Sequence, residues 1–301
     1  MAEIKWDLLV DRIQNGKCTP FLGAGACADV LPVGAAVAQT WAQKYGYPLD
    51  DCGDLIKVAQ YIAVTQDPMW PKDAIIKEFE KRVQECGGPD FKDPLKPHSL
   101  LADLPLPVYL TTNYDDFMEQ ALRSRNRDAQ QALCRWNDYL EANRDNAPSA
   151  FDDPNYKATN DKPVVFHLHG HSGVPESLVL TEDDYLDFVV GISRNEDLLP
   201  PRIRQALTGT SLLFLGYGIT DWDFRVLFRS LVSYLTKSVQ RVHVSVQLEP
   251  GTAGVDPQKA ASAQDYLNRY FEELEISVFW GTCEQFVAEL RKRWEAAKDA
   301  K

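Results

Sequence analysis

Cys18-Thr19-Pro20-Phe21-Leu22-Gly23-Ala24-Gly25-Ala26 is a short apolar run that breaks into a glycine-rich turn. Such a run, bounded by turn residues, reads as a buried strand, and glycine lets the chain turn tightly into the next element. Three further stretches repeat the arrangement. Pro107–Thr112 ends on Asn113-Tyr114-Asp115, Val164–Leu168 on His169-Gly170-His171, and Ser211–Leu215 on Gly216-Tyr217-Gly218. Val242–Leu248 and Ile276–Trp280 complete the predicted strands. Helical spacing fills the intervals: 3–14, 34–85, 115–125, 182–208, a stretch holding Phe224, Leu227, Phe228 and Leu231, then 263–274 and 284–297. Strands alternating with helices predict an α/β fold, a Rossmann-like parallel sheet with helices on both faces. One domain over 1–301 is expected, with a helical insertion at about 36–95 and a polar, mobile or peripheral segment at about 126–162.

In open parallel sheets, ligands bind beyond the carboxyl ends of the strands, where strand order reverses. The four unusual clusters all fall at such ends, so they are expected to converge on one rim. The bulk properties disfavour a broad electrostatic grip on DNA or RNA. The chain has 301 residues, 45% of them hydrophobic, and a formal net charge of −12. Its longest basic run, Arg291-Lys292-Arg293, is too short for a phosphate-gripping face, so direct nucleic-acid binding is not expected. Cysteines at 18, 27, 52, 86, 134 and 283 include no CxxC pair, which argues against a structural zinc site and a dense disulfide framework, and for a reducing cytoplasm. Met1–Trp6 has no apolar signal region, and no apolar run reaches membrane-span length.

Each cluster has two readings. Gly23, Ala24 and Gly25 could bring backbone N–H groups against a diphosphate, or could simply turn the chain. Asp115 or Asp116 could serve a ligand or cap the next helix, while Asn113 faces the rim directly. His167, His169 and His171 alternate on one strand face, but no further ligands stand at metal-binding spacing. His167 reads best as a hydrogen-bonded core histidine. His169, at the strand end before a glycine, is better placed as a general base, for which a near-neutral imidazole pKa is suited.

The blocks FLGAGA (21–26), TTNYD (111–115), HLHG (167–170) and LFLGYG (213–218), in this order and spacing, resemble the signature blocks of sirtuin-like proteins. The nearest likeness is to bacterial sirtuin-like NAD hydrolases of anti-phage defence, and it extends from Thr19 to Leu290, taking in LTEDDY (180–185) and FWGTC (279–283). The resemblance implies a sirtuin-like domain with NAD as substrate and no metal. It implies that Gly23, Ala24 and Gly25 hold the diphosphate, that Asn113 and Asp115 contact the nicotinamide ribose and nicotinamide end, and that His169 is the catalytic histidine. Gly216, Tyr217 and Gly218 would lie beside the adenosine half, with Cys283 under the adenine. Residues 170–216 lack the zinc cysteines of deacylating sirtuins, the run after the glycine loop is Asp29-Val30-Leu31-Pro32-Val33 in place of Pro-Asp-Phe-Arg, and Gln247 stands for an expected Asn. These departures favour NAD hydrolysis over deacylation or ADP-ribosyl transfer. A module that binds NAD or ADP-ribose without turnover is the reading from a different class. An NAD-depleting enzyme would need gating, so the expected partners are further copies in a homo-oligomer, or a separate protein such as a HerA-type ATPase or a short Argonaute-like protein.

Overall fold

The computed structural model describes residues 4–217, 243–248 and 257–299. Gly218 and the predicted helix around Phe224–Leu231 lie outside the described residues.

Among the described residues, seven parallel strands form one sheet: β1 (Cys18–Leu22), β2 (Val108–Thr111), β3 (Gln130–Leu133), β4 (Val164–His167), β5 (Ser211–Leu215), β6 (His243–Gln247) and β7 (Ile276–Trp280). Their order is β3-β4-β2-β1-β5-β6-β7, with β1 in register with β5 from Cys18↔Ser211 to Leu22↔Leu215. Leaving out the edge strand β3, this is the doubly wound order of dinucleotide-binding sheets, and the reversal falls between β1 and β5. Every residue of β1, β2, β4, β5 and β6 is buried, as a parallel sheet covered on both faces requires.

Alternation along the strands divides the core. Phe21, Leu110, Phe166, Leu212 and Phe214 face a layer containing Phe188 of a helix at Glu182–Arg194, Ile203 of a helix at Pro201–Gly209, and Phe271. Leu22, Tyr109, Val165, Leu213 and Leu215 face Leu9 and Ile13 of a helix at Trp6–Gln14, Leu122 of one at Phe117–Arg123, and Phe286 and Leu290 of the last helix, Cys283–Asp299. Between β1 and β2 run helices at Gly34–Tyr45, Leu55–Thr65 and Trp70–Cys86, whose Val37, Trp41, Val58, Ile62 and Ile75 build a third cluster with Leu178 and Leu180. No helix among the described residues is long and apolar enough to cross a membrane.

The segment 126–162 differs from its polar appearance. Gln130–Leu133 pairs with β4 from Gln130↔Val164 to Leu133↔His167, and Ala132, Leu133, Cys134, Trp136, Leu140 and Ala147 are buried. An edge strand buries fewer side chains than a central one, so its sequence carries less apolar signal. The expected helix over 182–208 is two helices: the first ends at Arg194, a short 3-10 turn follows at Glu196–Leu198, and Pro201 opens the second in its first turn, where no backbone donor is needed. The first is started by a capping box: Thr181 Oγ1 accepts from the Asp184 N–H at 3.1 Å, and Asp184 Oδ2 accepts from the Thr181 N–H at 3.0 Å.

Candidate functional site

One cavity of about 1270 Å³ opens at the carboxyl ends of β1, β2, β4 and β5. Ala24, Gly25, Asn113, Asp115, His169, Gly216, Tyr217 and Cys283 all line it. Gly23 lies just behind the wall, its carbonyl accepting from Asn113 Nδ2 at 3.2 Å.

The glycines here serve a close approach of two loops. Gly216 has φ +80°, and a Cβ on it would sit 2.2 Å from the Ala26 nitrogen. That proximity lets the Gly23 N–H donate to Leu215 O and the Gly25 N–H to Gly216 O, both at 2.9 Å. Two of the amides expected to face a diphosphate are therefore already committed to carbonyls of the β5 end. Tyr217 fastens the same junction: its hydroxyl donates to Leu22 O at 2.9 Å and lies 2.8 Å from Thr112 Oγ1, while its ring packs on Phe21.

Asn113 is buried at the end of β2. Its N–H donates to Thr111 Oγ1 at 2.9 Å, and its amide nitrogen reaches Gly23 O and, at 3.5 Å, Cys27 Sγ. Asp115 has both of its predicted environments. It lines the cavity, and its Oδ1 accepts from the Phe117 N–H at 3.1 Å, starting the helix Phe117–Arg123, whereas Asp116 makes no such cap. Burial raises the Asp115 carboxyl to about 6.

His169 contributes a half-buried ring edge-on to Phe188 at 4.9 Å and Tyr185 at 6.0 Å. Its buried Nε2 has no hydrogen-bond partner among the described residues. Desolvation lowers its pKa to about 3, so the near-neutral value expected from the sequence does not hold in this apolar wall. At pH 7 the ring is neutral. The adjoining Gly170 has φ +89°, and a Cβ there would lie 2.2 Å from Ser177 O, the carbonyl that accepts from Trp136 Nε1 at 2.8 Å. A side chain at 170 would push apart the loop that carries His169.

Beneath the rim is a charged pair that sequence reasoning missed. His167 Nε2 lies 2.7 Å from Glu119 Oε1, and His167 Nδ1 lies 3.3 Å from the Asn113 carbonyl, with both side chains buried. An imidazole facing a carboxylate on one nitrogen and a carbonyl on the other satisfies both only as the doubly protonated cation. Burial opposes the charge, but the Glu119 charge and hydrogen bond raise His167 above its ordinary pKa. The same pairing holds Glu119 below its ordinary value against burial. The signal was a lone carboxylate inside Phe117-Met118-Glu119-Gln120-Ala121-Leu122, an otherwise apolar helix face. His171 accepts from the Gly173 N–H at Nδ1, 2.9 Å, and its ring meets His167 edge-on at 4.9 Å. Among the described residues no group of three or more His, Cys, Asp or Glu side chains is placed to hold a metal ion.

The far side of the cavity is formed by Gln247, Trp280, Gly281, Thr282 and Cys283. Gln247 Nε2 donates to Ser245 Oγ at 2.7 Å, its carbonyl accepts from the Gly281 N–H at 2.8 Å, and burial raises the Cys283 thiol to about 11. A neutral thiol, a glycine and an indole form a wall suited to a planar base.

Three relatives were compared with the chain. It is 23% identical over 220 residues to the NAD(+) hydrolase ThsA of Acinetobacter baumannii (strain 532279), covering 73% of this chain and 40% of that protein. It is 26% identical over 232 residues to the NAD(+) hydrolase ThsA of Bacillus cereus (strain MSX-D12), covering 76% and 43%. The protein of the same name from Enterococcus faecium is 26% identical over 246 residues, covering 78% and 44%. The chain thus spans about two-fifths of the length of the curated relatives it matches. Residues 107–278, which include Asn113, Asp115, His169 and the β5 loop, match the family described as the SIR2-like domain. With more than half of the chain inside that match, on a parallel sheet of the doubly wound order, this protein belongs to the SIR2-like domain family.

Proposed function

We propose that the protein is an NAD hydrolase that cleaves the nicotinamide–ribose bond and releases nicotinamide and ADP-ribose. The observation that carries this reading is the single cavity shared by Asn113, Asp115, His169, Ala24, Gly25, Gly216, Tyr217 and Cys283. It is large enough for a dinucleotide, since pockets for drug-sized ligands span roughly 300–1,000 Å³.

The chemistry asks mainly for placement. The C1′–N bond breaks with its electron pair going to the cationic ring, so nicotinamide leaves neutral and the ribose carbon becomes oxocarbenium-like. A water oxygen then bonds to C1′ and gives up a proton. Ordering of this sort supplies roughly 7–11 kcal/mol in favourable cases. Asn113, with its amide nitrogen fixed on Gly23 O, offers Oδ1 to a ribose hydroxyl or the attacking water. His169 offers its Nε2, which has no partner among the described residues. Because its basicity is low in the apolar wall, it acts first as a hydrogen-bonding partner of the ribose hydroxyl or water and takes the proton only as charge develops. Asp115 holds the carboxamide, and the diphosphate lies along Ala24 and Gly25 with the adenine towards Cys283. Gly23 supports Asn113 from behind.

The resemblance to anti-phage NAD hydrolases, and the relatives' name, support a wider role. In it the protein is a cytoplasmic, gated NAD-depleting effector, controlled by self-association or by a partner such as a HerA-type ATPase or a short Argonaute-like protein. To separate hydrolysis from acyl transfer, the protein is incubated with NAD with and without an acyl-lysine peptide and the products are resolved by chromatography. The expected result is ADP-ribose and nicotinamide in equal amounts, indifferent to the peptide. Acylated ADP-ribose that appears only with peptide would replace this reading with deacylation.

A further inference from the structure

The cavity has an unusual charge balance for a site meant to hold a dianion. Asp29, Asp54, Asp115 and Glu284 line it, and among the described lining residues Lys96 is the one Lys or Arg side chain. Lys96 Nζ lies 3.0 Å from Asp29 Oδ2 and 2.8 Å from Glu284 Oε1, with its side chain 20% exposed. Asp29 comes just after the turn Ala24–Cys27, and Glu284 adjoins Cys283. The ammonium therefore stands between the glycine loop and the wall suited to a planar base, where the phosphates of a dinucleotide would pass.

Two observations point to a ligand role. The Gly23 and Gly25 N–H groups are committed to Leu215 O and Gly216 O, so those glycines do not supply the donors that a diphosphate needs. Both ion pairs of Lys96 are also with half-exposed carboxylates, of a kind worth about 0–1 kcal/mol and easily exchanged.

We propose that Lys96 is the diphosphate-binding cation of this site, and that Asp29 and Glu284 hold it in the ligand-free state and release it to the phosphates. The inference rests on the dinucleotide reading of the cavity. Binding is then an exchange of partners: the ammonium leaves two carboxylates for two phosphate oxygens, and the carboxylates return to water. The acids set affinity by competition, which distinguishes this arrangement from a structural brace.

The test titrates the intact protein with ADP-ribose and with adenosine, by calorimetry or ligand-observed NMR. Lys96→Met is expected to weaken ADP-ribose about ten- to a hundredfold, the range of a hydrogen bond to a charged group, and to leave adenosine unchanged. Asp29→Asn and Glu284→Gln are expected to tighten ADP-ribose about two- to threefold, within the worth of one exposed pair. Lys96→Arg is expected to bind within about threefold of wild type, and it carries the test together with the two acid variants if Lys96→Met does not fold. Unchanged ADP-ribose affinity in Lys96→Met, equal losses for both ligands, or weaker binding in the acid variants would overturn the assignment of Lys96. Wild-type protein that binds neither NAD nor ADP-ribose would instead overturn the dinucleotide reading itself.

Discussion

Replacing Glu119 by Gln tests the buried pair beneath the rim. In the wild type, His167 spans 2.7 Å to Glu119 Oε1 and 3.3 Å to the Asn113 carbonyl. The amide introduced by Glu119→Gln can still accept from Nε2, but it supplies no charge, so the ring deprotonates and keeps one N–H. If the amide accepts from Nε2, the Nδ1 lone pair faces the Asn113 carbonyl; if it turns to donate to Nε2, the Nδ1–H stays on that carbonyl, and in both arrangements the bond between charged partners is gone. The hydrogen bond to a charged group that is lost is worth about 1.5–3 kcal/mol. For a chain of this size 1 kcal/mol is worth about 2 °C, so the midpoint should fall by about 3–6 °C between pH 4.5 and 6.5. The pH dependence has a definite sign. His167 is raised above 6.5, so its contribution is full below that value and is lost as pH rises through the folded pKa. Glu119 is lowered below 4.5, so its contribution is full above that value and is lost as pH falls through the folded pKa. The gap between wild type and Glu119→Gln should be widest between 4.5 and 6.5 and should narrow on both sides. Thermal unfolding followed by circular dichroism from pH 4 to 9 reads this directly. Midpoints within about 2 °C of each other, or a gap independent of pH, would refute a charged pair.

Other consequences come from the same geometry. Asp115→Asn keeps a cap on Phe117 but removes a carboxyl raised from 3.8 to about 6. The wild-type carboxyl carries no ionisation cost below pH 3.8; the cost grows as pH rises from there and is full above about 6, so this variant should melt higher than wild type at pH 8, equally at pH 3.5, and turn over NAD more slowly. Gly170→Ala puts a Cβ 2.2 Å from Ser177 O at φ +89°, adding about 1–2 kcal/mol of backbone strain to a clash with main chain; its midpoint should drop by at least about 2–4 °C, with activity lost alongside. In Gly216→Ala the Cβ meets the Ala26 nitrogen, so the β1 and β5 loops must separate, and weakened ADP-ribose binding by calorimetry is the expected readout.

The sequence made the sheet and its rim legible because fully buried parallel strands are continuous apolar runs. Cys18–Leu22 and Ser211–Leu215 lie where those runs predict them, and the partly buried edge strand Ile276–Trp280 also falls on its apolar run. β3 was not visible, since Gln130 and Gln131 begin an edge strand whose apolar half is only Ala132-Leu133. The convergence of residues 24, 113, 169 and 216 could be read from strand ends alone, but the chemistry at each position could not. Spacing cannot reveal that the Gly25 N–H is spent on Gly216 O, that aromatic neighbours strip His169 of its basicity, or that Lys96 bridges acids some 67 and 188 residues away. Those are properties of tertiary contact.

The most direct measurement tracks NAD by chromatography with wild type, Asn113→Ala and His169→Ala at matched concentration, with NAD binding determined for each. The account predicts nicotinamide and ADP-ribose from wild type and little from either variant, although both still bind NAD. Undiminished nicotinamide release from both variants would contradict it.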